Sequence, residues 1–131
     1  MPISKTTQKW LAIAHADLRD ATALLEYEDR FLRLIVFAAQ QSAEKSIKSF
    51  LTHQKCRFPN THDIENLLKI VEQKNPELAK NLHEANYLTA YAIAFRYPDA
   101  ATEELNHVLA LKAVGIAERT MKLILEILVK T

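Results

Sequence analysis

The chain is 131 residues long, 49% apolar and 25% charged, with one Gly, four Pro and a formal net charge of +1. That balance excludes disorder and disfavours turn-dense β architectures, and the length suits one domain over residues 1–131. A near-neutral charge also argues against a general electrostatic grip on nucleic acid, so no DNA-specific binding is expected.

The first predicted element places Trp10, Ala14, Leu18, Ala21 and Leu25 at three- and four-residue steps, one apolar face of a helix from about Ser4 to Glu28. After "EYEDR" the stretch "FLRLIVFAAQQSAEKSIKSFL" predicts a second helix, apolar nearly all round to Ala39 and amphipathic beyond it. Its first half is therefore expected to be the part surrounded by protein. Gln40, Glu44 and Lys48 stand four apart, so Glu44 and Lys48 can pair, for ~0.2–0.5 kcal/mol if exposed.

"CRFPNTHD" ends that helix, because Phe58 before Pro59 is pushed out of the α region, and Asn60 or Thr61 can cap the next one. Ile64, Leu67, Leu68 and Val71 phase a short third helix. Asn75 and Pro76 start a fourth, with a face running Leu78, Leu82, Ala85, Thr89, Ala92 and Ile93 up to "RYPD". Asp99 or Thr102 can cap a long last helix with Leu105, Leu109, Ile116, Leu123 and Ile127 inward. Gly115 within it costs ~1 kcal/mol against Ala and marks either a close helix contact or tolerance. About five helices with short connections predict an all-α, up-and-down antiparallel bundle.

No apolar run reaches the ~18–20 residues of a membrane span and the start carries no signal-peptide core, so a cytoplasmic protein without membrane attachment is expected. Cys56 is the single cysteine, between Lys55 and Arg57, and reads as an ordinary thiol rather than an activated one. With one Gly there is no phosphate-cradling loop, and the five histidines show no metal-ligand spacing, so neither cofactor nor metal is expected. Glu103 and Glu104 open a helix and suit its dipole better than catalysis.

The charge is unevenly spread. Residues 1 to 60 carry nine Lys/Arg against six Asp/Glu, and no acid lies between Lys45 and His62 while Lys45, Lys48, Lys55 and Arg57 are basic. Pro59 and Pro98 each fix a loop with phosphate donors beside it: Arg57 and His62 at the first, Arg96 and Tyr97 at the second. In an antiparallel bundle both loops share one end, where guanidinium, imidazole and phenol groups can hold a phosphate and stack on a base. The plainer reading makes Arg96 a helix-end cap, Tyr97 a packed ring with a wet hydroxyl and His62 a first-turn residue.

Four stretches in this order, "WLAIAHADLRDATALL", "FAAQQSAEKSIKSFL", "THDIENLL" and "FRYPD", carry a resemblance to the HEPN domain family, the nucleotide-binding helical domain of prokaryotes and higher eukaryotes. The resemblance implies a four- to five-helix bundle, commonly a homodimer, paired with a minimal nucleotidyltransferase in toxin–antitoxin modules. Some HEPN proteins are metal-independent ribonucleases through an Arg-x4-6-His motif near the start of a late helix. This sequence departs from it: Ala101, Thr102 and Glu103 follow Arg96 where that histidine belongs, and His107 lies too far along. Arg57 and His62 fit the spacing but stand between the second and third helices. The expected function is thus binding of a nucleotide or RNA phosphate by Arg57, His62, Arg96, Tyr97, Lys45 and Lys48. A ribonuclease toxin and a purely structural dimerisation module are the rivals.

Overall fold

A computed structural model describes residues 2–27, 29–90 and 105–130. These residues form five α-helices and two 3-10 segments and contain no strand, the all-α bundle that the periodicity predicts. Helix α1 spans Lys5–Leu24, where the Ser4 hydroxyl caps the Thr7 amide at 3.1 Å, and it runs into a 3-10 turn at Leu25–Tyr27. Ala14 and Ala21 are wholly buried on it. Small side chains there let α2 (Leu32–His53) approach closely enough for the Ser42 hydroxyl to donate to the Ala14 carbonyl at 2.8 Å.

Helix α2 is the central element, flanked by α1 on one side and by α5 (His107–Lys130) on the other. Its burial reverses the expectation. Leu34 in the first half is 47% exposed, whereas from Ala39 to Leu51 every residue except Lys45 is buried, Gln40, Gln41, Ser42, Glu44, Ser46, Lys48 and Ser49 included. Polar residues tolerate that interior because most bond to one another or to nearby carbonyls, as described below.

Helix α3 (Ile64–Lys74) is capped by Asp63, which accepts from the Glu65 amide at 3.0 Å, and not by Asn60 or Thr61. Thr61 instead accepts from the Asp63 amide, one step earlier in the same turn. The expected fourth helix is broken. Helix α4 covers only Pro76–Asn81, started by Asn75 and Pro76 as predicted, and gives way to a 3-10 segment at His83–Leu88. Leu82, Ala85 and Leu88 are buried at three-residue spacing, the repeat that puts side chains in line on a 3-10 helix and not on an α-helix.

Helix α5 is capped by Asn106, whose side chain accepts from the Leu109 amide at 2.8 Å. Asp99 and Thr102, proposed for that role, lie outside the described residues. Leu109, Ala113, Ile116, Ala117, Ile124 and Leu128 face the core, and Arg119 grips Glu84 with two bonds of 2.8 and 2.9 Å, tying α5 to the 3-10 segment. A Cβ on Gly115 would meet nothing nearer than the Arg119 side chain at 3.3 Å, so this glycine marks tolerance and not a tight helix crossing. Among the described residues no helix is long and apolar enough to cross a membrane.

Candidate functional site

The polar interior of α2 converges on one carboxylate. Glu44 is 1% exposed, and its Oε2 accepts from Lys48 Nζ at 2.9 Å. Its Oε1 takes the Nδ1 of His62 at 2.8 Å and the Gln40 amide at 3.1 Å. A carboxylate only accepts, so the imidazole carries its proton on Nδ1 and leaves Nε2 as its other polar atom. Gln40 also reaches the His62 carbonyl at 3.4 Å, which fixes the backbone as well as the ring.

The chain of donors continues outward along α2. Gln41 donates to Gln40 Oε1 at 2.6 Å, and Lys45 donates to Gln41 Oε1. Lys45 also faces Asp17 of α1 at 3.9 Å, whose buried Oδ2 accepts no hydrogen bond from the described residues. Each amide thus points the same way, from the half-buried Lys45 inward to Glu44. In a low-dielectric interior such an aligned chain is worth more than its separate links.

Electrostatics set the charge states. Burial pushes the Glu44 carboxyl upward, but hydrogen bonds from Lys48 and His62, the Lys48 charge and the Gln40 amide outweigh it and hold the group below its ordinary value. Glu44 is therefore ionised at neutral pH. Burial raises Asp17, with the Lys45 charge opposing and Asp20 and Glu44 adding to the rise.

Outside this buried centre lies the connection between α2 and α3. Helix α2 closes with the Lys55 amide bonded to the Thr52 carbonyl and the Cys56 amide to the Leu51 carbonyl, while Lys55 takes a left-handed φ of 58°. That reversal turns Arg57 outward and brings Phe58 back against Trp10 of α1, ring centroids 6.2 Å apart in an edge contact. The Lys48 ammonium sits 5.5 Å from the centre of the same Trp10 ring. Trp10 thus stands against the Lys48 end of the Lys48–Glu44 pair.

The predicted residues divide clearly. Lys48 and His62 meet on one carboxylate, and Lys45 joins them through the two glutamines. Lys48, with a side chain only 4% exposed, stands behind the imidazole and not beside solvent, while the His62 side chain is 36% exposed. Arg57 is exposed, and no carboxylate pairs with it among the described residues. Arg96 and Tyr97 lie outside the described residues, as does the approach of their loop to this one. The first two amides of α3 are already occupied, Ile64 by the Thr89 hydroxyl at 3.2 Å and Glu65 by Asp63, so neither serves an anion here.

Glu44, Gln40, Gln41 and Trp10 are the residues that charge counting overlooks. Their signal was the run "QQSAEKSIKS", polar at positions all round a helix that still has to be central. Polar residues on every face cannot all be solvated, so some must bond to each other.

Comparison with known proteins places these features in context. The profile of the HEPN domain matches residues 7–128. The fold is similar to the crystal structure of TT1696 from Thermus thermophilus, with a TM-score of 0.74 at 25% identity over 94% of this chain and 98% of that one. It is also similar to ST0689, an archaeal HEPN homologue, with a TM-score of 0.69 at 21% identity over 90% of this chain and 93% of that one. A search of curated proteins finds no match.

Proposed function

This chain belongs to the HEPN domain family, and on that premise we propose that it is a nucleotide- or RNA-phosphate-binding module. It works in the cytoplasm as a homodimer beside a minimal nucleotidyltransferase, in a toxin–antitoxin-like pair. The observation that carries the reading is the Glu44–His62 contact of 2.8 Å, an imidazole pinned by a buried carboxylate on the same connection as the exposed guanidinium of Arg57, which pairs with no carboxylate among the described residues. The planar guanidinium fork of Arg57 suits a phosphate, and the imidazole on the same loop, its Nδ1–H given to Glu44, presents Nε2, which donates to a phosphate oxygen in the imidazolium form. Lys45 and Arg96 add charge, Tyr97 offers a ring for a base, and Lys48 serves through Glu44 by holding the carboxylate that aims His62.

Titration of the purified protein with ATP, GTP and a short single-stranded RNA tests this. Binding is expected to weaken ~10-fold or more in Arg57→Ala, as for loss of a charged hydrogen-bonding partner, and also in His62→Ala and Arg96→Ala. Binding that survives the loss of both arginines and the histidine would remove this site from consideration.

A second reading is a metal-independent ribonuclease. The same pinned imidazole favours it, because a carboxylate that orients a histidine is the arrangement of a general base, and Arg57 can stabilise a phosphorane-like charge. Incubation with total RNA in the presence of a chelator separates the two: cleavage by the native chain that His62→Ala abolishes would make the enzyme the better description.

A further inference from the structure

A second surface, away from the Glu44 centre, carries its own pattern. The C-terminal half of α5 and one side of α1 enclose a groove of about 550 Å3, floored by Leu18, Met121 and Leu125 and open to solvent at Val129, which is 82% exposed. The floor is apolar, the surface that a packed helix face buries. Its rim on α5 is charged in strict alternation at four-residue steps: Glu118, Lys122, Glu126, Lys130. Spacing of that kind can pair charges within one helix, yet none of the four makes an ion pair among the described residues.

The pattern reads differently when the helix is laid antiparallel on a copy of itself. A two-fold axis passing near residues 124 and 125 sets Glu118 opposite Lys130 of the second copy and Lys122 opposite Glu126, with each pair made twice. The neighbouring apolar row inverts about residue 125, one residue (~1.5 Å) from the centre of the charge row at 124, Met121 meeting Val129 and Leu125 meeting its own equivalent. A parallel, in-register pairing would instead put every charge against its like. From residue 118 to 130 the helix runs ~18 Å, so the four charges bracket a contact about three turns long.

We propose that the α1–α5 groove is the homodimer interface, an isologous antiparallel contact of α5 on α5 in which Val129 of one copy enters the groove of the other. This rests on the homodimer stated under the proposed function and names the face it uses. The fitting occupant is a second copy because one antiparallel rotation, with an axis between residues 124 and 125, brings both the charge row and the apolar row within a residue of self-complementary register. An unrelated partner would have no reason to match both.

The test is a mass measurement by sedimentation over a wide concentration range, with charge reversals. Lys122→Glu sets two acids against Glu126 at both ends of the axis and is expected to weaken dimerisation ~10-fold or more. Glu126→Lys does the same, and the double exchange Lys122→Glu with Glu126→Lys restores native affinity. Leu125→Cys in a Cys56→Ser background is expected to form a disulfide-linked dimer on mild oxidation. Val129→Asp, at a position too exposed to disturb folding, should dissociate the dimer and serves if a Leu125 variant misfolds. A native chain that stays monomeric throughout overturns both this interface and the homodimer, leaving phosphate binding to its own titration. A dimer that all these variants leave intact, without cross-linking, overturns the interface alone.

Discussion

Replacing Glu44 by Gln keeps the shape of the side chain and removes its charge, which makes it the sharpest probe of the buried network. The native carboxylate accepts from Lys48 at 2.9 Å, His62 at 2.8 Å and Gln40 at 3.1 Å, all at a site 1% exposed. An amide has one acceptor oxygen. If it faces His62 and Gln40, its own N–H groups face the Lys48 ammonium, leaving a buried cation with, among the described residues, the Trp10 ring 5.5 Å away as its remaining partner. Removing one member of a buried ion pair costs ~3–5 kcal/mol, and the residual cation–π attraction places Glu44→Gln near the lower end, ~3 kcal/mol. At roughly 3–5 °C per kcal/mol for a chain of this size, the Tm falls by ~9–15 °C. Urea denaturation should show the loss as a lower midpoint at unchanged slope. The second arm adds Lys48→Met to Glu44→Gln, which removes the stranded charge and is expected to recover ~2 kcal/mol. A single variant within ~1 kcal/mol of native, or a double variant no more stable than the single, would refute the account of a closed, desolvated pair.

Three further outcomes follow from the same structure. Glu44 and Glu84 have carboxyls held below their ordinary value of 4.5, Glu84 chiefly by its hydrogen bonds from Arg119. The stability they contribute is present in full above that value and is lost as pH falls through their lowered folded values, while Asp17, shifted upward, runs the opposite way as it takes up its proton. Urea midpoints between pH 7 and pH 3 should therefore drop, and less so in Glu44→Gln. Lys55→Gly relieves a side chain held at φ 58° and should raise stability by ~0.5–1 kcal/mol, visible as a higher midpoint. Gly115→Ala should do likewise by ~0.5–1 kcal/mol, since the added methyl has only the movable Arg119 side chain to displace, and a loss of stability would show that the Glu84 grip holds that side chain rigid.

Much of the fold was legible because period and punctuation are local. The three-four spacing of Trp10, Ala14, Leu18 and Ala21 and the Asn75-Pro76 start need only neighbours along the chain. The break of the fourth helix was not legible, because Leu82, Ala85 and Leu88 satisfy a three-residue repeat that a period-3.6 reading absorbs without notice. The caps of α3 and α5 moved by two or more residues for the same reason: Asn60, Thr61, Asp63 and Asn106 are all competent caps, and the choice among them depends on where the helix packs.

The site shows the division most clearly. Composition and order alone settled an all-α chain, its charge asymmetry, and the basic run from Lys45 to Arg57 that drew attention to His62. Only the tertiary structure decided which of those charges face water. By placing α2 between α1 and α5 it desolvated half a helix of polar groups, and desolvation obliged Lys48 to pair with Glu44 and Glu44 to fix His62. A sequence records which charges exist. The dielectric around each one, and hence whether it binds a ligand or another side chain, is a property of the packed whole.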